Sequence, residues 1–234
     1  MIGLSLGFVS ILVVMVLSIG TSNLGFYLQP HSILVVIGGT TALLVLSTPG
    51  LVLKSLLRSI SRLATEAKGF ASFRKEIEEL SRARKLAAKS RNPLINYAIE
   101  LWEQGIDPDL FIVLLSQKKN ELLSEQTDAV QSLKNLAKYP PALGMAGTVM
   151  GMISLFSSLD SKSETIGADL ALAMTATFFG LILANALIAP LADRLQVQQV
   201  RDQRLYQALY EILLLINGGE PQSLVLDEVN SRAA

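Results

Sequence analysis

Four stretches of the chain are apolar for long enough to cross a bilayer, where about 20 mostly apolar residues make one span. Ile2 to Ile19 carries no charge. Ser32 to Leu53 follows and is closed by Pro49-Gly50. The third, at 139 to 159, reads YPPALGMAGTVMGMISLFSSL, and the fourth runs from Leu170 to Ala189, with Pro190 behind it. The remaining segments carry apolar residues at helical spacing. Asp107-Pro108 is a helix start with proline at the first helical position, and no Gly or Pro interrupts from there to Pro140. If the helix runs on to Leu159 it is roughly 75 Å long at 1.5 Å per residue. Leu191, Leu195, Leu205, Leu209, Leu213 and Ile216 continue the pattern after the fourth span, and Asn217-Gly218-Gly219 stops it. Shorter helices are predicted between Lys54 and Asp107, a weakly structured tail after Pro221, and no strands of consequence.

The fold expected is therefore an all-α integral membrane protein with four transmembrane helices, the third and fourth extended into a cytoplasmic helical stalk. It divides into spans one and two (1–53), a cytoplasmic helical domain (54–138), spans three and four (139–190), and a C-terminal helix and tail (191–234). Charge orients it. Lys54 to Lys138 holds fifteen of the twenty basic residues and the tail after Pro190 holds four, which leaves only Lys162 between spans three and four. The positive-inside rule makes the basic side cytoplasmic, so both termini are inside. Half of the residues are hydrophobic and 17% are charged, below the quarter usual for soluble domains. No basic face stands free of acids, which argues against a nucleic-acid partner.

Candidate chemistry narrows the reading further. The chain has no cysteine and one histidine, His31, which excludes thiolate catalysis and multi-histidine metal sites. No nucleophile elbow, phosphate loop or metal-ligand cluster is present, so an enzyme is not expected, nor a cofactor or a stably bound metal. His31 at a span boundary reads as an interfacial or capping residue. Ionisable residues inside spans mark transport pathways, yet all four spans lack one, since Asp169 lies at an end. Hydroxyls and amides remain: Thr148 in the third span, and Thr175, Thr177 and Asn185 in the fourth. Taken alone, the chain either transports nothing or shares a pathway with a partner that brings the acid. Gly147-x-x-x-Gly151, extended by Gly144, is a small-residue face that lets helices approach closely. Pro140-Pro141 and Pro190 are boundary prolines or a pair of hinges.

Three segments resemble the MotA/TolQ/ExbB proton-channel superfamily, and within it the MotA/PomA flagellar stator subunits. They are PHSILVVIGGTTALLVLSTP (30–49), the third span with IGADLALAMTATFFGLILANALIAPLADRL (166–195), and the weaker IELWEQGIDPDL (99–110). The resemblance implies a subunit of the bacterial inner membrane, five copies of which surround two copies of a single-span MotB/PomB-type partner. The partner's aspartate carries a proton or sodium ion, and the ring turns and pushes on a rotor protein of the flagellar switch. It further implies that Pro141 and Pro190 are the family's two functional prolines. Thr177 is the threonine facing the partner's aspartate, and Thr148 is a threonine of sodium-driven subunits. A second threonine usual in those subunits is Ala176 here. In this reading Gly144, Gly147 and Gly151 line the seam where the subunit slides past its partner. Arg84-Lys85 align with the basic rotor contact, although the run continues LAAKSRNP without the acids expected there. Two other functions stay open: a related ion-driven motor with a non-flagellar load, and a membrane scaffold without ion flux.

Overall fold

The computed structural model describes residues 2–20, 27, 29–63, 70–86, 88–158 and 166–233. Lys162 and Leu159 lie outside them. The described residues form helices and no strands. In chain order these are α1 (Ile2–Ile19), α2 (Pro30–Ser47), α3 (Gly50–Leu63), a 3-10 turn (Phe70–Phe73), α4 (Arg74–Ala83), α5 (Pro93–Glu103), α6 (Pro108–Leu136) and α7 (Tyr139–Ser158). Then come α8 (Ile166–Ile182), a π turn (Leu183–Ile188), α9 (Ala189–Gly218) and α10 (Gln222–Ala233). A second π turn, Leu34–Gly38, lies inside α2. Three helical stretches are long and apolar enough to cross a membrane: Pro30–Ser47, Pro108–Ser157 and Asp169–Gly218. The N-terminal helix contributes a shorter one, Val9–Ser18.

The chain folds as two compact units, one of residues 1–65 and 128–196, the other of 66–127 and 197–234. The first is built on α7 and α8, packed along their length, with α2 against both. Its apolar cluster joins Leu56 of α3 to Leu133 and Leu136 of α6 and to Ile188, Ala192 and Leu195. The second unit has a soluble-type core in which Ile77, Leu80, Leu94, Ile95, Phe111 and Leu213 are fully enclosed. Helix ends there follow local chemistry. The Asn92 side chain accepts from the Leu94 N–H at 2.9 Å, and Asp107 accepts from the Asp109 N–H at 3.0 Å; both satisfy donors that a helix start leaves open. Gly219, at φ +79°, closes α9, and the Glu220 N–H reaches back to the Leu215 carbonyl at 3.2 Å, the six-to-one bond of a glycine stop.

Three expectations are corrected. The helix from Pro108 reaches through the third span as a 50-residue stretch, but with a two-residue turn in it: α6 ends at Leu136 and α7 starts at Tyr139. Pro140 and Pro141 have no N–H to give the carbonyls of Leu136 and Ala137, and the Lys138 N–H falls back to Asn135 at 3.1 Å. The second span ends at Ser47 rather than Leu53. Thr48 is extended, and Leu51 to Leu53 open a separate helix. The tail after Pro221 is a helix of 12 residues, α10. Val225 and Val229, four apart and fully buried, join the second unit's core, and Arg232 holds Glu211 and Glu228 at 2.6 and 2.5 Å.

Candidate functional site

The two membrane threonines singled out in the sequence meet. Small residues make this possible. A Cβ on Gly144 would lie 2.9 Å from the Ala176 carbonyl oxygen, one on Gly147 would lie 2.6 Å from the Ala176 Cβ, and one on Gly151 would lie 2.8 Å from the Ala173 Cβ. Every one of these is too close for a real side chain, so the backbones of α7 and α8 touch only because α7 carries glycine there. Gly180 of α8 returns the arrangement: its Cβ would stand 2.5 Å from the Pro140 oxygen. The glycine face assigned by resemblance to the seam with the partner is thus occupied by α8 of the same chain. Ala176 is fully buried against Gly147, so its side chain belongs to this packing.

At the level of Gly144 the seam becomes polar. The Thr148 and Thr177 hydroxyls are hydrogen-bonded to each other. Thr148 Oγ1 also lies 3.1 Å from the carbonyls of Gly144 and Ala173, and Thr177 Oγ1 lies 3.3 Å from the Gly144 carbonyl. Four oxygens therefore converge with two hydroxyl protons between them. Each hydroxyl has one proton to donate and two lone pairs, so the cluster has acceptor capacity to spare and no positive charge. Both threonines are half-buried. The generic membrane role of a threonine, a bond to the carbonyl four residues back, is present at Thr148 but does not account for the contact across helices.

A second hydroxyl pair, not anticipated as a pair, ties α2 to α8. Ser32 Oγ and Thr175 Oγ1 lie 2.8 Å apart, and Ser32 also donates to the Leu172 carbonyl at 3.1 Å. Both residues are buried. Nothing in the local sequence marks Ser32, since its partner is 143 positions away. Ala173, Ala176 and Gly180 had a readable signal, small residues at intervals of three and four on one helix face. Asn185 turns to its own helix, donating to the Leu181 carbonyl at 3.0 Å. Asp169 accepts from Ser154 at 2.9 Å.

The prolines differ in geometry. Pro141 stands in the first turn of α7, where a missing N–H costs no helical bond. Pro190 follows the π turn within a continuous helix, and there the Ala189 N–H bonds the Ala184 carbonyl five residues back. A π turn relaxes the register just before the residue that cannot donate. Arg84 and Lys85 belong to the second unit. Arg84 ends α4 in the left-handed region at φ +51°. Its guanidinium donates to the carbonyls of Ile216 and Asn217 at 3.1 and 3.2 Å and lies 6.0 Å from the Trp102 ring centroid. Trp102 Nε1 donates to the Asn217 side chain at 3.0 Å. Arg84 is thus engaged with the end of α9, while Lys85 is exposed.

These features define a helical membrane protein whose two innermost-packed helices meet through glycine, alanine and threonine. Residues 78–208, more than half of the chain, match the MotA/TolQ/ExbB proton channel family, and the chain belongs to it. It is 29% identical to motility protein A of Treponema pallidum (strain Nichols) over 94% of this chain and 87% of that protein. Its fold matches the solved structure of C. jejuni MotAB, with a TM-score of 0.81 and 17% identity over 99% of this chain and 95% of that one. It also matches the flagellar MotAB stator complex from Bacillus subtilis, with a TM-score of 0.75 and 20% identity over 97% and 92%.

Proposed function

We propose that this chain is the ion-channel-forming stator subunit of a flagellar motor. Five copies surround two copies of a single-span MotB/PomB-type partner, whose aspartate supplies the charge that the chain's own spans lack. The observation that carries this reading is the oxygen cluster of Thr148, Thr177, Gly144 and Ala173. It is rich in acceptors, contains no carboxylate, and lies on a helix pair packed closely enough to slide as one body. Hydroxyls carry no charge to hold or pass an ion, which supports a pathway shared with a partner that brings the acid. Family membership and the relatives' names, motility protein A and MotAB, support the same assignment.

In this proposal Ile2–Ile19 completes a set of four spans in the bacterial inner membrane. Both termini and the segment 54–138 are cytoplasmic, and the third and fourth spans extend into the cytoplasm as a helical stalk. Pro141 and Pro190 are the points at which motion of the spans reaches that stalk. Sodium is the favoured ion, because hard cations prefer oxygen ligands and Thr148 adds one to the cluster. Lys85 is the available cation of the rotor-contact pair, since Arg84 is engaged with α9. That engagement, with the missing acids after Lys85, favours one second reading: the same ion-driven engine with a non-flagellar load. The partner's periplasmic domain distinguishes the two, a peptidoglycan-binding module supporting the flagellar stator.

The test is motility with assembly measured in parallel. Thr177→Ala and Pro141→Leu should reach the membrane at normal levels, form pentamers by native mass spectrometry, and abolish swimming. Intact swimming in both would leave a membrane scaffold as the better description.

A further inference from the structure

We infer that the outward face of α3 binds the headgroups of anionic phospholipids at the membrane boundary. The sequence GLVLKSLLRSISRL contains three cations and no acid. Only Thr48 and Pro49 separate Ser47, the end of α2, from Gly50, so α3 begins within about 10 Å of the end of an apolar span. Its inward stripe is accounted for. Leu56 is fully buried, and Ile60 and Leu63 pack with it against the cluster of Leu133, Leu136, Ala192 and Leu195. That cluster also takes in Tyr139 and Ile188, beside the ends at which the third and fourth spans are read in the sequence.

The opposite stripe has no protein partner among the described residues. Lys54 and Arg58, one turn apart, are exposed, and Leu51 and Leu57 flank them at 83% and 61% exposure. Two large leucines left in water are costly, and at an acyl boundary they are buried while the cations beside them meet phosphates. This mixed face suits a helix lying in the interface. Charge points the same way. Lys54, Arg58, Arg62, Lys134, Lys138 and Arg194 stand near these span ends in the sequence, against Asp128 and Asp193. Among the described residues no ion pair engages Lys54, Arg58, Lys134, Lys138 or Arg194. Unspent positive charge at a membrane boundary attracts anionic lipid.

The chain contains no cysteine, so Leu57→Cys carries a single fluorophore. With the partner, the labelled protein is reconstituted into phosphatidylcholine vesicles that contain either headgroup-spin-labelled phosphatidylglycerol or the matching phosphatidylcholine. Phosphatidylglycerol should quench the probe about fivefold or more over phosphatidylcholine. K54Q/R58Q should remove that preference, K54R/R58K should keep it, and K85Q/K89Q in the second unit should not alter it. Inorganic phosphate at equal concentration should not compete. Three results overturn the inference: equal quenching by the two lipids in the unmodified face, a preference that survives K54Q/R58Q, or a probe shielded from both lipids by a neighbouring copy. Native mass spectrometry on the unlabelled chain checks the same preference independently of the probe, and retention of phosphatidylglycerol no greater than of phosphatidylcholine would also overturn it.

Discussion

Gly180→Ala should separate the two helices that carry the oxygen cluster. The added Cβ would lie 2.5 Å from the Pro140 oxygen, 3.1 Å from its carbonyl carbon and 3.2 Å from the Gly144 Cα. All three are backbone atoms, so no side chain can swing away. An ordinary carbon–oxygen contact near 3.4 Å requires about 0.9 Å of extra separation, and overpacking of this kind costs about 1–3 kcal/mol. Thr177 lies one turn away and holds the Gly144 carbonyl at 3.3 Å. Half of that displacement takes it past hydrogen-bonding distance and loses about 0.6 kcal/mol more. At roughly 2–4 °C per kcal/mol for a chain of this size, the apparent Tm of the detergent-solubilised protein should fall by roughly 3–14 °C. Gly38→Ala is the control, because a Cβ there meets nothing within 4 Å. If Gly180→Ala melts with Gly38→Ala, the close approach at Pro140 does not hold α7 to α8, and the reasoning fails.

Other expectations follow from single contacts. Thr148→Ser should keep the contact to Thr177 and retain swimming, whereas Thr148→Ala should lower swimming speed across a sodium titration; equal speeds would remove the hydroxyl from the account. Ser32→Ala should lower the apparent Tm by the equivalent of about 1 kcal/mol, because it leaves Thr175 to its own helix, and Ser32→Thr should restore part of the loss. Arg84→Gly relieves a left-handed residue but strips two carbonyls at the end of α9 of their donor, so the second unit should lose stability while Arg84→Ala should lose more, by denaturation of the two variants side by side. Hydrogen bonds from Gln207 and Arg232 hold the Glu211 carboxyl below its usual value. A depressed carboxyl stabilises above the unfolded value of about 4.3 and loses that effect as pH falls through the folded value. Hydrogen-exchange protection of α10 should therefore fall with acid in the wild type and change less in Glu211→Gln.

The apolar pattern located the helices, because a span and a helix start are local features. Asp107-Pro108 and Gly218-Gly219 are at the ends they predict. The pattern failed where a boundary depended on tertiary contact. Leu51 to Leu53 look like span, but extended Thr48 before Pro49 breaks the helix, and the burial of Leu56 and Ile60 against α6 and α9 holds them in a separate one. Val225 and Val229 make too short a stripe to predict α10 without the core they fill. The candidate site was partly legible. Thr148 and Thr177 were singled out by residue type and by resemblance, and the structure brings them together. Ser32 was not, since its hydroxyl matters only through Thr175. The glycines of α7 were read as a packing face without their partner, which is the Ala173-Ala176-Gly180 face of α8. Arg84 was aligned with the basic rotor contact, and its left-handed backbone and its bonds to α9 are visible only in three dimensions.

The central claim is that the Thr148–Thr177 seam takes part in ion-driven rotation. It is tested most directly by recording tethered-cell rotation in a strain lacking this chain, complemented by the wild type, Thr177→Ser or Thr177→Val together with the cognate partner. Membrane levels and pentamer formation are measured in the same cells. Wild type and Thr177→Ser should rotate, and Thr177→Val should assemble and stay still. Rotation at wild-type speed by an assembled Thr177→Val motor would contradict the claim.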